Sequence, residues 1–474
     1  MKPIIAGQDE LAMDSARHTP SARWALAGLS LSMLLSSLGT SIANVGLPTL
    51  TQVFDASFQD VQWIVLAYLL TITTLIVSVG RLGDLTGRRR LLLAGIALFT
   101  LASTLCGCAP TLGLLIAARA LQGLGAAIMM ALTLAFVGET VPKARTGSAM
   151  GLLGTLSAIG TALGPSLGGF LLAGPGWRAL FLISVPLGVL TFAISYHHLP
   201  EDRQGTRPER SGFDPLGTLL LALTLAAYAL AMTLGRGHFG LLNISLLTAA
   251  VLGLGLFVLT ETQVASPLIH LVMFRDLRLS GSLAMSALVS TVMMATLVVG
   301  PFYLARGLGL DATGVGLALS VGPCVSALTG VPAGRLADRF GAQRMTAVGL
   351  MAMAIGCLAL SLLPQTLGLG GYIGPLIVVT FGYALFQASN NTAVMSEVGT
   401  QQRGVISGLL NLSRNLGLIT GASALGAVFV FASGAADIAN ASPEAVASGL
   451  RATFATALVL VVVALAIAFV TRKR

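Results

Sequence analysis

Two charged stretches recur in this sequence where almost everything around them is apolar. GRLGDLTGRRR runs from Gly80 to Arg90, and GRLADRFGAQR from Gly334 to Arg344. Glycine, arginine, leucine, aspartate, glycine and arginine coincide at six of the eleven positions. A second echo follows each copy: Glu139 and Arg145 stand six apart, as do Glu397 and Arg403. Acid, base and glycine at such spacing do not make a hydrolytic or redox centre. Asp84 sits where it could meet a helix N-terminus or an arginine. The other reactive side chains offer no rival chemistry. The five histidines lie in loops or termini, with no metal-ligand spacing and no nucleophile beside them. The four cysteines fall inside apolar runs without a Cys-x-x-Cys pair and read as packing residues. The phosphate-cradling pattern G-x-x-x-x-G-K-[ST] is absent, which disfavours an ATP-driven pump. Gly235–Gly240 (GRGHFG) does fit G-x-G-x-x-G, but it joins two apolar runs with no strand before it. No cofactor, no metal and no enzymatic activity are expected.

The elements that must carry these charges are membrane helices. Of 474 residues, 55% are hydrophobic and 9% charged, with mean hydropathy +0.88. A soluble chain carries roughly 25% charged residues, so lipid has to cover much of this surface. The net charge of +9 does not point to nucleic acid, because no basic stretch is interleaved with stacking aromatics. Apolar runs long enough for a bilayer of about 30 Å fall near 24–46, 61–80, 91–110, 112–136, 148–173, 178–197, 214–234, 241–261, 281–304, 312–332, 344–364, 372–395, 404–432 and 450–471, fourteen in all. Charge tests the count independently. With both termini cytoplasmic, 21 of the 27 Lys and Arg residues fall on the cytoplasmic side; the others are Arg119, Arg178, Arg236, Arg306, Arg414 and Arg451. The paired motifs are offset by 254 and 258 residues and lie on one side of the membrane, which implies parallel repeats related by an axis along the membrane normal. Spans one to six match spans nine to fourteen. The expected organisation is a tail at 1–23, a six-helix bundle at 24–198, linkers with an inserted helix pair (spans seven and eight) at 199–280, and a second bundle at 281–474. It is an all-α membrane protein, expected as a monomer in the cell membrane.

Polar groups at membrane depth are retained mainly where they face a partner or water. On that ground the candidates for substrate binding or coupling are Thr40 and Asn44 in span one, Tyr68 in span two, Arg119 and Gln122 in span four, and Asn411, Arg414 and Asn415 in span thirteen. For the two arginines, hydrogen bonding to neighbouring backbone carbonyls stands level with a transport role. Span five carries Gly160, Gly164, Pro165, Gly168 and Gly169, a thin face with one missing hydrogen bond that suits close packing and a bend. None of the eighteen acids falls near the middle of a span, so the interior should be neutral to positive.

In sum the chain resembles the major facilitator superfamily, specifically its fourteen-helix drug/proton antiporter branch. The likeness rests on the Gly80–Arg90 loop, on Arg119, Gln122 and Gly123 in span four, on the span-five glycines with Pro165, and on Trp177 and Arg178 followed by Pro186 and Gly188. It implies the major facilitator fold and secondary transport by alternating access, with small amphipathic molecules exported against entering protons. The alternative is export or import of one specific metabolite on the same fold. The likeness also implies a latch of Asp84, Arg88 and Glu139 that closes the two halves on the cytoplasmic side, with Asp338, Glu397 and Arg403 as its counterpart. Ala342 replaces Arg88 in the second copy, so that latch is expected to be weaker. Many relatives carry an aspartate where this chain has Gly39. Its loss, with no deep acid elsewhere, favours neutral or weakly acidic cargo over lipophilic cations.

Overall fold

The computed structural model describes residues 19–56, 58–141, 145–201, 214–233, 240–264, 267–310, 312–364, 367–399, 402–434 and 441–472. The side chains of Glu139 and Pro165 and the whole of Asp311 lie outside the described residues, as does most of the 1–23 tail and the 199–213 linker.

Fourteen helices follow the fourteen apolar runs: α1 (Thr19–Val53), α2 (Phe58–Thr86), α3 (Arg88–Cys108), α4 (Leu112–Thr140) and α5 (Thr146–Ala173), then α6 (Ala179–His198), which has a turn at Ile183. The inserted pair is α7 (Pro215–Thr233) and α8 (Leu241–Gln263). The second bundle holds α9 (Leu277–Phe302), α10 (Ala312–Phe340), α11 (Ala342–Ser361), α12 (Gly368–Glu397), α13 (Arg403–Ser433) and α14 (Pro443–Arg472). Among the described residues, thirteen of them are long and apolar enough to cross a membrane by length and composition. The other is α5, 28 residues of continuous helix whose glycines serve packing. The start of α1, where Trp24 stacks on His198, the end of α14, where Thr471 meets Gly281, and the α2–α3 loop, where Arg89 donates to the Tyr196 carbonyl, lie on one face, here called the terminal face, together with the α10–α11 loop.

Packing repeats as the sequence does. In the first bundle α1 lies against α5 and α6, α3 against α4 and α6, and α2 against α4; in the second, α9 lies against α13 and α14, α11 against α12 and α14, and α10 against α12. The α2–α3 and α10–α11 turns each use a glycine with positive φ, Gly87 at 104° and Gly341 at 91°. A side chain there would strain the backbone, so both copies of the motif keep this glycine. The two bundles meet along two seams, α2 on α13 and α10 on α5, which are equivalent under the repeat. The inserted helix α7 rests on α2 and α13, where Tyr228 and Thr420 share a hydroxyl–hydroxyl hydrogen bond and Ser423 donates to the Met232 carbonyl. Outside it, α8 leaves Leu241, Val251, Leu252 and Leu259 exposed, as a helix against lipid should.

Candidate functional site

The seams close tightly near the terminal face, and glycine makes the approach possible. A methyl built on Gly80 would lie 2.2 Å from the Gly404 carbonyl oxygen, and one on Gly334 would lie 2.1 Å from the Gly147 carbonyl oxygen. Both distances are far inside van der Waals contact, so backbone touches backbone at equivalent points of the two seams. Each seam then receives one motif aspartate from the opposite half. Asp84 accepts from the backbone N–H groups of Gly404 (3.0 Å) and Val405 (3.1 Å) in the first turn of α13. Asp338 accepts from the N–H groups of Gly147 (2.7 Å) and Ser148 (2.8 Å) in the first turn of α5, and from the Ser148 hydroxyl at 2.7 Å. Helix N-termini present unpaired N–H groups and a positive dipole end, so a carboxylate caps each helix and joins the halves in one contact.

Arg88 completes the first site through Nε (3.0 Å) and Nη2 (2.7 Å) to Asp84 Oδ1. That pair lies within one half. Its work is to hold the carboxylate in place, and it spans no seam. Asp338 lacks an arginine at position 342 and makes three hydrogen bonds across its seam where Asp84 makes two. Glu397 and Arg403, expected beside Asp338, stand in different surroundings. Glu397 pairs with Arg278 at 3.2 Å on an exposed surface, while the Arg403 guanidinium lies against α4, 2.9 Å from a methyl built on Gly138. Glu139, one residue further along α4, has its side chain outside the described residues.

The candidates in the first bundle come together, though away from any opening. Arg119 is fully buried. Its Nε donates to the Ile64 carbonyl (2.9 Å), Nη2 to the Gly39 carbonyl (3.0 Å) and Nη1 to the Gln122 side-chain oxygen. The guanidinium stacks 4.1 Å from the Tyr68 ring centroid. Gln122 donates onward to Ser103 Oγ at 2.7 Å, and the Tyr68 hydroxyl to the Ser36 carbonyl at 2.7 Å. Arg119 therefore ties α1, α2 and α4 together through carbonyl dipoles and an aromatic face, and it meets the Gly39 carbonyl instead of a side-chain carboxylate. Thr40 is half-buried and bonds to its own helix, and Asn44 is exposed near the far end of α1. In α13, Asn411 is buried and donates to the Met130 carbonyl of α4 (3.3 Å) and to Ser407 (3.0 Å), another tie between the halves. Arg414 and Asn415 are half-buried.

The span-five glycines divide by contact. A methyl on Gly160 would lie 2.5 Å from the Leu34 carbonyl oxygen and one on Gly164 would lie 2.1 Å from Ser41 Oγ, whereas one on Gly169 would meet nothing within 4 Å. Gly168 is buried. Sequence reading missed the partners of this face in the second half. Gly417 and Gly421 press on α9 in the same way, with methyl contacts of 2.2 Å to the Ala287 carbonyl oxygen and 2.5 Å to the Thr291 carbonyl oxygen. Their spacing repeats that of Gly160 and Gly164 at an offset of 257, a signal available in the sequence. It also missed Ser407, which donates to the Ala131 carbonyl across the halves.

Residues 29–422 match the profile of the Major Facilitator Superfamily. The chain belongs to this superfamily. It is 32% identical over 404 residues to the multidrug resistance protein Stp of Mycobacterium tuberculosis (strain ATCC 25618 / H37Rv), covering 85% of this chain and 74% of that one. It is 30% identical over 422 residues to the multidrug efflux pump LfrA of Mycolicibacterium smegmatis, covering 88% and 82%. It is also 30% identical over 402 residues to the riboflavin transporter RibZ of Clostridioides difficile, covering 85% and 87%. Among solved structures, the superfamily's proton:xylose symporter XylE aligns with TM-score 0.66 at 15% identity over 93% of this chain and 95% of that one. The fold is that of the major facilitators, and the chain is a multi-pass membrane transporter of that superfamily with drug-efflux proteins among its relatives.

Proposed function

We propose that the protein is a proton-coupled exporter of small amphipathic molecules that works by alternating access in the cell membrane, as a monomer with both termini and the terminal face in the cytoplasm. The observation that carries this reading is the pair of equivalent aspartate caps. Each caps a helix of the other half, so both are made when the terminal face is closed and both must break for it to open. Multidrug efflux is the activity named for LfrA and multidrug resistance that named for Stp, and each aligns with most of this chain.

The cargo is neutral or weakly acidic. No acid stands near mid-span to hold a cation, and Arg414 is half-buried with its Nε hydrogen unpartnered among the described residues. Arg119, fully buried and bonded to Ile64, Gly39 and Gln122, serves as a structural tie between helices. The riboflavin named for RibZ favours a second reading, a carrier of one metabolite, which a narrow substrate range would distinguish. Efflux of a quaternary ammonium dye and of a neutral antibiotic from expressing cells, with and without an uncoupler, tests the proposal. Uncoupler-sensitive efflux of the neutral compound is expected. Rapid dye efflux would overturn the assignment of cargo charge, and efflux indifferent to the uncoupler would overturn proton coupling.

A further inference from the structure

The base of the inserted helix pair buries two carboxyl groups that the latch does not use. Asp214 immediately precedes α7 and Glu261 lies in the last turn of α8; each side chain is in a residue only 4% exposed. Asp214 spends one oxygen on the helix start, accepting from Gly217 N–H at 2.8 Å, and its Oδ2 has no hydrogen-bond partner among the described residues. Among the described residues no side chain donates to either oxygen of Glu261, and the backbone N–H groups of Leu268 and Ile269 lie near it without completing a hydrogen bond of normal geometry. The two groups converge on Gly217, where a methyl would lie 2.3 Å from Asp214 Oδ2 and 2.8 Å from Glu261 Oε1. A glycine is what leaves this gap open between the oxygens.

The placement of Glu261 is against expectation for its helix. The neighbouring residues of α8 face lipid, and a glutamate so near the helix end could reach water by turning outward. It turns inward instead, toward a second acid. The charged groups that face it are Asp214 from the α7 start and Arg81 from α2, and the backbone N–H groups of Leu268 and Ile269 approach it from the segment that follows α8. Two ionised carboxylates in one dry gap repel each other, and burial penalises both charges. With one proton shared between them, the two acids and Arg81 are electrically neutral together. With none, the group carries a net negative charge out of water. A metal cation fits poorly beside the arginine.

We infer that Asp214 and Glu261 form a proton-binding site at the base of the inserted helix pair, whose occupancy is felt by the α2–α13 seam through Arg81. Arg81 lies beside Gly80, the point where α2 touches α13, and three residues before Asp84. Helix α7 rests on the same two helices. Loss of the shared proton strengthens the pull on Arg81 toward the hairpin base, and its return relaxes that pull, so one seam of the latch registers proton binding. The role in transport rests on the proton-coupled reading above; the existence of the site does not.

Infrared difference spectra of the purified full-length protein in lipid nanodiscs, between mildly alkaline and mildly acid buffer, read the site directly. Wild type should show a carboxylic-acid C=O band that titrates with pH, and Glu261→Gln and Asp214→Asn should each remove or displace it. Arg81→Gln leaves both acids in place and removes the positive charge that favours ionisation, so the band's midpoint should move upward. Absence of the band in wild type overturns the inference. So does a band unchanged in both acid variants, or a midpoint unmoved by Arg81→Gln. If the variants behave as expected while efflux ignores an uncoupler, the site stands and proton-coupled export fails. If efflux is uncoupler-sensitive and the band is unchanged in both acid variants, export stands and the site fails.

Discussion

Asp84 and Asp338 hold equivalent posts, and the chemistry of each is a charged acceptor on two backbone N–H donors. Hydrogen bonds to a charged group contribute about 1.5–3 kcal/mol. Replacing carboxylate by amide at either post removes the charge and turns half the group into a donor facing donors. Asp84→Asn and Asp338→Asn should therefore cost transport to a similar degree, on the order of tenfold or more, with the protein still inserted; efflux rates normalised to membrane protein would check this. A much milder Asp338→Asn would restore the asymmetry that position 342 implies in the sequence. Arg119 is a different case. Its partners sit on three helices, and alanine would strip all of them at once. Arg119→Ala should lower thermal stability in detergent, by about 2 kcal/mol or more, together with the amount of protein recovered. Normal stability with altered substrate affinity would instead place the guanidinium in the cargo path. At this scale the sequence singled out Asp84, Asp338 and Arg119 and left their partners open. Asp84 could be matched to a helix N-terminus or an arginine, and it meets both. The particular N-terminus belongs to α13, over 300 residues away, and only the packing of the halves brings it near.

Among the elements, α5 and α13 each meet the opposite half at a seam, and both rely on glycine for close packing. The contact distances sort the α5 motif into working and silent positions. Gly160→Ala and Gly164→Ala force α5 away from α1 and should impair transport several-fold or lower stability by about 1–3 kcal/mol. Gly169→Ala meets open space and should be tolerated; efflux and melting measurements on the three variants decide the matter. The count and order of helices were legible because hydropathy and positive charge sort independently and agree. The α5 glycines were legible as a face, and the equivalent role of Gly417 and Gly421 was not recognised, because they lie between polar residues that drew the reading toward binding. The inserted pair was legible as an interruption of the repeat. That its base buries Asp214 against Glu261 was hidden, since both stand at span ends where an acid normally faces water.

For the whole molecule, the repeat becomes a mechanism: two seams of the same construction, each closed by glycine contact and an aspartate from the opposite half. Closing both on one face leaves the other face free to open, which is what alternating access requires of a pseudo-symmetric pair of bundles. The tie of Asn411 and Ser407 to α4 adds a layer of closure deeper along the same seam. The most direct test is the distance between spin labels on Thr86 and Phe340, exposed residues at the ends of α2 and α10 on opposite sides of the terminal face, measured by pulsed electron resonance in nanodiscs. Wild type should populate a short distance, and Asp84→Asn combined with Asp338→Asn should shift the population to a longer one. An identical distribution in the two proteins would contradict the claim that the aspartate caps hold the terminal face closed.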